Sequence, residues 1–266
     1  MKAAVVQMNS GQDKKKNIES ALRLLKEAIG QEARFILLPE VFNYRGPLGE
    51  ENSLRSIKES IPGESTEPFL KLSKEKRVAI LVGSVYETIR DSGKVYNTSV
   101  FVNSRGEIQA IYRKMHLFDA VIGQTKLQES KCFKRGSKPA TTQWDDFKIG
   151  LSICYDLRFP ELYRAYAKQG VHILTVPSAF TKVTGTAHWE VLLRSRAIEN
   201  LSYVLAPNQI GKDGRGVPSY GHSMIIDPWG EILAEASEDR EEIIYADLDL
   251  ATIKEKRTIL PALDKY

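Results

Sequence analysis

Long apolar runs are missing from this chain: none approaches the ~20 residues that a membrane-spanning helix requires. The opening MKAAVVQMNS has too short an apolar stretch for a secretory signal and reads as a first strand. Cysteine is scarce. Cys132 and Cys154 are the whole complement, too few for a disulfide framework in 266 residues. With no signal for an oxidising compartment, a reducing cytoplasm is the expected location. Asn97-Thr98-Ser99 and Asn200-Leu201-Ser202 match the glycosylation pattern, which carries nothing without secretion. An excess of one charge is missing too. Lys and Arg number 38 against 34 Asp and Glu, a net of +4, and the two signs are interspersed. The densest basic run, Lys14–Lys16, reads as a solvated helix face. Neither a nucleic-acid partner nor a membrane surface is therefore expected. Linkers, low-complexity tracts and solenoid repeats are absent, so residues 1–266 are expected to form one domain.

What is present is an alternation of periods. Ala3–Met8, Phe35–Leu38, Val78–Tyr86, His172–Val176 and Tyr203–Ala206 read as strands, while Asn17–Ile29, Thr66–Lys76 and His188–Asn200 carry helical spacing. Val95–Val102 and Glu107–Tyr112 read as a hairpin across four turn formers, Asn103-Ser104-Arg105-Gly106. Met224–Ile226, Glu231–Ala234 and Ile243–Leu248 are further strands, and Ala251–Arg257 fits a last helix. Met115–Pro139 has no clear period and reads as a long functional loop, or a short helix with loops. Short βα connections indicate α/β layers, and the hairpins indicate some antiparallel pairing. The pattern alone does not choose between three and four layers.

One stretch organises the rest. In Lys148–Tyr163, KIGLSICYDLRFPELY, a strand of Ile149, Leu151 and Ile153 breaks at Cys154 and resumes as a helix from about Arg158. Pro160 suits the first helical turn, Lys168 the last, and Gly170 the stop. Cys154 thus sits on a strand-to-helix turn, where free backbone N–H groups face whatever its side chain attacks. It is either a small buried hydrophobe or a nucleophile. A nucleophile needs a partner, usually histidine. His172 reads as a core residue, His188 as a helix-face residue and His222 as a residue beside a strand start; His116 is the fourth. Two other groups stand at strand ends. Glu40 follows FILLP and Lys114 follows GEIQAIYR, on the rim where α/β proteins place their sites. A solvated loop acid and a surface lysine would explain either alone. An acid, a base and a thiol at three strand ends form a constellation.

These residues lie in segments that resemble the nitrilase, or carbon–nitrogen hydrolase, superfamily. LLPEVFN surrounds Glu40, YRKMHLFD surrounds Lys114, and SICYDLRFPELYR surrounds Cys154. AHWEVLLRSRAIEN and YGHSMIIDPWGEIL are similar to its later segments, so the resemblance runs from about Ala3 to about Leu248. It implies a catalytic Glu40, Lys114 and Cys154. Glu129, in LQESKCF, matches a second acid, although the IGQTK before it departs from the family pattern. The resemblance also implies a four-layer α-β-β-α sandwich, pairing of two subunits or a higher homo-oligomer, and chemistry without metal or cofactor. Tyr163 and Tyr166, on the helix after Cys154, are the expected self-association surface, because interfaces favour such amphipathic side chains.

The residue types agree with amide hydrolysis through a thioester. Glu40 can take the thiol proton and later activate water. Lys114 and the N–H of Tyr155 can receive the oxyanion. The signs of the influences on the Cys154 thiol oppose each other, so its direction stays open at this stage. SAFTKVTGTAHWEVLLRSRAIEN, with SYGHSMIIDPWGE, is most similar to the deaminated glutathione amidase and omega-amidase branch. That similarity implies a small amide bearing a carboxylate. Deaminated glutathione is the leading substrate, and 2-oxoglutaramate or succinamate the alternative. N-carbamoyl hydrolysis, nitrile hydrolysis and a catalytically inactive binding protein of the same fold are further readings. Arg158 and Thr184 could meet the substrate carboxylate. Otherwise Arg158 would pair with Asp156 or Glu161 at the helix start, and Thr184 would stabilise a turn.

Replacing Cys154 by Ser should abolish turnover, because an alkoxide is far harder to form than a thiolate. Replacing Cys132 by Ala should cost no more than a few-fold in rate. An inactive Cys132→Ala enzyme beside an active Cys154→Ala enzyme would mean that the wrong thiol has been chosen.

Overall fold

The computed structural model describes residues 1–48, 51–122 and 125–265. In chain order the first half contains β1 (Lys2–Gln7), α1 (Lys14–Gly30), β2 (Phe35–Leu37), α2 (Glu51–Ile57), α3 (Glu67–Lys76), β3 (Ala79–Thr88), β4 (Val95–Val102) and β5 (Ile108–Arg113). A small hairpin, β6 (Asp119–Ile122) and β7 (Thr125–Gln128), leads into the single turn α4 (Glu129–Cys132). The second half contains β8 (Ala140–Trp144), β9 (Phe147–Leu151), a 3-10 turn at Cys154–Arg158, α5 (Pro160–Lys168), β10 (Ile173–Thr175) and α6 (Lys182–Asn200). It closes with β11 (Tyr203–Ala206), β12 (Met224–Ile226), β13 (Ile232–Glu235), β14 (Glu242–Asp247) and α7 (Leu250–Ile259).

Alternation along the strands separates two faces. Ala3 and Val5 join Phe35, Leu37, Ala79 and Leu81 in a cluster with Ile149, Leu151 and Leu205 of the second half. Ala4 and Val6 turn the other way, with Ile36, Ile80 and Val82, onto Leu24 and Leu25 of α1 and Phe69 of α3. The first sheet therefore buries one face against the second sheet and the other against α1 and α3. Its strand order is β14-β1-β2-β3-β4-β5, and that of the second sheet is β13-β12-β11-β10-β9-β8. In each, three central strands are parallel (β1, β2 and β3; β9, β10 and β11) and the flanking strands are antiparallel. Leu162 and Tyr166 of α5 and Trp189 and Leu193 of α6 cover the outer face of the second sheet. The four-layer α-β-β-α arrangement follows. Among the described residues no helix is long and apolar enough to cross a membrane.

Asp13 caps α1 by accepting from Lys16 N at 3.1 Å. Several local expectations hold for stated reasons. Pro160 opens α5, and Gly170 takes a positive φ of 76° just past its end. Others need correction. Tyr163 and Tyr166 are fully buried, so they cannot form a self-association surface. The Tyr163 hydroxyl lies 2.8 Å from Ser152 Oγ, and that of Tyr166 accepts from Ala140 N at 3.1 Å. α6 starts at Lys182 rather than His188, across a polar first turn that the apolar pattern did not mark. Met115–Pro139 holds the β6–β7 hairpin as well as a short helix. Gly123 and Gln124, within its IGQTK stretch, lie outside the described residues. His172 is half-buried just ahead of β10, accepting from Lys148 N at 3.1 Å. Asn97 and Asn200 are buried, which by itself excludes them as glycosylation sites in the folded chain.

The register of β3 shifts between Val82 and Val85, and the chain leaving β2 crosses closely there. A Cβ on Gly83 would stand 1.9 Å from the Pro39 carbonyl oxygen, while Ser84 Oγ accepts from Val41 N at 2.9 Å. Gly83→Ala should therefore cost roughly 1–3 kcal/mol, the usual range for overpacking. Urea unfolding measures this against Gly93→Ala, where a Cβ meets nothing within 4 Å. Equal midpoints for the two variants would show that the crossing yields freely.

Candidate active site

Four strand ends converge where the C-terminal edges of the two parallel cores meet. Glu40 stands beyond β2, with Val41 after it held at a positive φ of 46°. Lys114 follows β5, and its backbone N–H still pairs with Asn97 O of β4 at 2.9 Å. Cys154 follows β9 at a φ of 48°, with its N–H given to Pro177 O at 2.9 Å. Left-handed backbone is unusual for residues with a Cβ and is outright strained for β-branched Val41, so the surroundings must hold both positions in place. Beyond β10, Ala179 brings a fourth backbone group into the same space.

The ammonium of Lys114 is the hub. It is 1% exposed and donates to Glu40 Oε1 at 2.9 Å and to Glu129 Oε1 at 3.0 Å. Asn97 Nδ2 also donates to Glu40 Oε1, at 2.8 Å, and Ala179 N donates to Glu40 Oε2 at 2.9 Å. Glu129 is fixed by its own hairpin: Phe118 N donates to its Oε2 at 2.8 Å. Burial alone would lower the Lys114 pKa, but Glu129 and Glu40 outweigh it and hold the ammonium well above its ordinary value. Burial raises the Glu129 carboxyl, with Lys114 pulling the other way. The direction for Cys154, open from sequence, is upward. Desolvation and then Glu40 push the thiol well above its ordinary range, and Lys114 does not compensate. That direction favours the neutral thiol at rest.

A second buried carboxylate shapes the turn itself. Asp156 Oδ2 accepts from Ile153 N at 2.9 Å and from the Tyr112 hydroxyl at 2.8 Å. Its Oδ1 accepts from His116 N at 3.0 Å and lies 2.7 Å from His116 Nδ1. Asp156 thereby fastens the 3-10 turn to β5 and to the segment after Lys114. It is not the partner of Arg158.

The space above these groups is a cavity of about 340 Å³. Glu40, Glu129, Cys154, Tyr155, Arg158 and Thr184 all line it, and Lys114 lies beneath them. All seven residues singled out in the sequence are thus brought together. Among the described residues Arg158 meets no carboxylate, neither Asp156 nor Glu161. Its guanidinium lies 5.7 Å from the Tyr155 ring centroid and 5.4 Å from that of Phe180, with Nη2 3.3 Å from His188 Nδ1. Thr184 Oγ1 is 2.9 Å from Thr181 Oγ1, so its turn-forming contact exists as well. None of the four histidines lines the cavity. Among the described residues no group of three or more His, Cys, Asp or Glu is placed to hold a metal ion.

Sequence reasoning missed Asn97, Asp156 and Arg45. Asn97 had a signal: a poor strand former in a run that is otherwise bounded by apolar residues, Val95-Tyr96 before it and Val100–Val102 after. Asp156 had one too, an acid beside the proposed nucleophile at a helix start. Arg45, buried and lining the cavity, lies in a loop without any period that would mark it.

A model of the carbon-nitrogen hydrolase family matches residues 2–258. The omega-amidase NIT2 of Homo sapiens is 39% identical over 259 residues, which are 97% of this chain and 92% of that one. Among solved structures, Saccharomyces cerevisiae Nit3, described as a member of branch 10 of the nitrilase superfamily, aligns with a TM-score of 0.86. It is 34% identical, with 98% of this chain and 94% of that one covered. The C. elegans NitFhit protein aligns with a TM-score of 0.91 at 35% identity, covering 100% of this chain and 64% of that longer one.

The raised Cys154 thiol has a direct consequence. In a Cys132→Ala background, thiolate ultraviolet absorbance should be absent at neutral pH. It should grow only at pH values above the ordinary thiol midpoint of ~8.5. A midpoint below that value would mean that Lys114 governs the thiol and that a thiolate pre-exists.

Proposed function

The chain belongs to the carbon-nitrogen hydrolase family, in the omega-amidase branch of the nitrilase superfamily, and from that premise we propose that it hydrolyses the terminal amide of a small carboxylate-bearing omega-amide such as 2-oxoglutaramate or succinamate. It is a hydrolase of amide C–N bonds. Deaminated glutathione, the leading substrate from sequence, gives way to the omega-amidase reading, because the near-full-length curated relatives from several vertebrates bear that name. The observation that carries the proposal is the buried Glu40–Lys114–Glu129 cluster beside Cys154 at the floor of the cavity.

In the proposed cycle the Cys154 sulfur attacks the amide carbonyl while Glu40 takes the thiol proton. A neutral resting thiol requires such a base at the moment of attack. An ammonium has three donors, and Glu40 and Glu129 occupy two of those of Lys114. The third is free for the oxyanion, with the N–H of Tyr155 as its companion, since the first N–H groups of a turn lack partners within it. Collapse breaks the C–N bond, Glu40 returns its proton to the amine, and ammonia leaves a thioester on Cys154. Glu40 then deprotonates water, which releases the acid and restores the thiol. Glu129 holds Lys114 and the departing or entering small molecule in line. Arg158, free of carboxylates and flanked by Tyr155 and Phe180, holds the substrate carboxylate with Thr184. No cofactor enters this scheme. A homo-oligomer is part of the same proposal, now through α6, whose Val183, Val191 and Ile198 are exposed.

A panel of 2-oxoglutaramate, succinamate, deaminated glutathione, a carbamoyl amine and a nitrile tests the reading. Ammonia should come first from the two omega-amides; deaminated glutathione is followed by its cysteinylglycine product, and no product from any member would leave the inactive-protein reading standing. Lys114→Met should cost at least ~10²-fold in kcat. A charge-assisted contact is worth roughly 1.5–3 kcal/mol, so Arg158→Ala should lower kcat/KM by about 10- to 150-fold on succinamate. An amide lacking the carboxylate should lose little. Equal losses on charged and neutral amides would remove Arg158 from substrate recognition.

A further inference from the structure

The general base of the proposed cycle has two carboxylate oxygens, and the structure treats them unequally. Glu40 Oε1 accepts from Lys114 Nζ at 2.9 Å and from Asn97 Nδ2 at 2.8 Å. A carboxylate oxygen has about two acceptor sites, so both on Oε1 are taken. Among the described residues Glu40 Oε2 accepts from Ala179 N alone, at 2.9 Å, and keeps one site open. That N–H also serves the nucleophile. Burial and Glu40 raise the Cys154 thiol, and against them Lys114 and a hydrogen bond from Ala179 N favour the thiolate. Oε2 and the Cys154 sulfur are therefore grouped around one donor.

Asn97 belongs to the Oε1 side of this division. It is 2% exposed and sits in β4, between β3 and β5, paired with Tyr86 of β3. Its carbonyl accepts from Lys114 N at 2.9 Å while its side chain donates to Glu40. One strand residue thus holds both members of the Glu40–Lys114 pair. Glu40 needs such a hold, since it lies beyond β2 and precedes the left-handed Val41. The carboxylate also settles which way the amide faces, because only the amide nitrogen can donate. The amide oxygen is left buried with no donor among the described residues. An unmet buried carbonyl is costly, and packing alone would be served by an apolar side chain of the same shape.

We infer that Asn97 is a positioning residue for the proton transfer: it occupies the second site of Oε1, so that Oε2 is the oxygen that carries the proton. The inference rests on the amidase reading above, with Glu40 as its base. In the first half-reaction the S–H bond breaks, its proton passes to Oε2, and the sulfur bonds to the carbonyl carbon. The proton then goes from Oε2 to the leaving nitrogen as the C–N bond breaks. In the second half-reaction Oε2 takes a proton from water as the water oxygen attacks the thioester. It returns that proton to the sulfur as the C–S bond breaks. In this role Asn97 touches none of the atoms that change bonds. It acts through the carboxylate, whose ionised form its N–H favours.

The pH profile of kcat/KM on succinamate separates this role from its rivals. Facing Glu40 are Lys114 beyond β5, Glu129 of α4, Cys154, Tyr86 of β3 and Arg45. Burial raises Cys154 and Tyr86, the two carboxylates raise Lys114 against its burial, and a guanidinium keeps its charge in acid. The acid limb therefore belongs to the two glutamates, and Asn97 donates to Glu40. Losing that donor raises the carboxyl, so the ionised base disappears at a higher pH. Asn97→Leu should move the acid limb up by about one to two pH units, the worth of one hydrogen bond to a charged group. With the base loosened, kcat should fall by about 10- to 100-fold while KM stays within about two-fold. Asn97→Ser, too short to reach Oε1, should do the same and serves if Asn97→Leu fails to fold. An unmoved acid limb would overturn the inference, whatever happens to the melting temperature, and would mark a structural asparagine. A raised KM with kcat and acid limb unchanged would overturn it too, since Asn97 lines the cavity and would then be a substrate contact. A wild type inert toward succinamate would instead overturn the amidase reading.

Discussion

A single buried ammonium joins three parts of the chain that share no sequence neighbourhood. Lys114 follows β5, Glu40 stands beyond β2 and Glu129 opens α4; the residue separations across these contacts are 74 and 15. Two carboxylates against one ammonium leave the cluster with an excess of negative charge when all are ionised. Such a buried group is stable only if its remaining hydrogen-bonding capacity is met, and here the donors are Asn97, Ala179 and Phe118. Burial first, and then the neighbouring Glu40, push the Cys154 thiol above its ordinary range. In the proposed cycle the nucleophile is therefore made only at the moment of attack, with Glu40 as the base.

The architecture explains why so few residues suffice. Each sheet has three parallel strands at its centre, and parallel strands deliver their C-terminal ends to one edge. Two such edges face each other across a shared core, so an acid from one sheet and a thiol from the other meet without long loops. Asp156 completes the join. Its four contacts reach Ile153, Tyr112 and His116, and the bond to the Tyr112 hydroxyl spans 44 residues.

Legibility in the sequence followed the range of the determining interaction. β11 and β12 were read at their observed limits, and β1 and α3 within a residue or two, because apolar periodicity is local. Glu40, Lys114 and Cys154 were readable because each directly follows such a run, and family resemblance ordered them. The layer count came from resemblance alone, since periodicity shows that a face is buried but not against what. β8 passed unread, an edge strand of mixed polarity, as did the early start of α6. Tyr163 and Tyr166 misled because amphipathic rings suit an interface and a polar-lined core equally well. Arg45 was invisible for a plainer reason: its contact with Ser219 crosses 174 residues.

Cys154 holds a backbone shape that glycine would adopt without penalty, at a φ of 48°. A side chain with a Cβ costs roughly 1–2 kcal/mol in that region. Selection for thermal endurance alone would therefore reward the loss of the one sulfur that the proposed reaction cannot do without. Libraries screened only for survival on heating should enrich inactive glycine variants at this position, and a stabilised yet active enzyme must recover its margin elsewhere, for instance along the exposed face of α1.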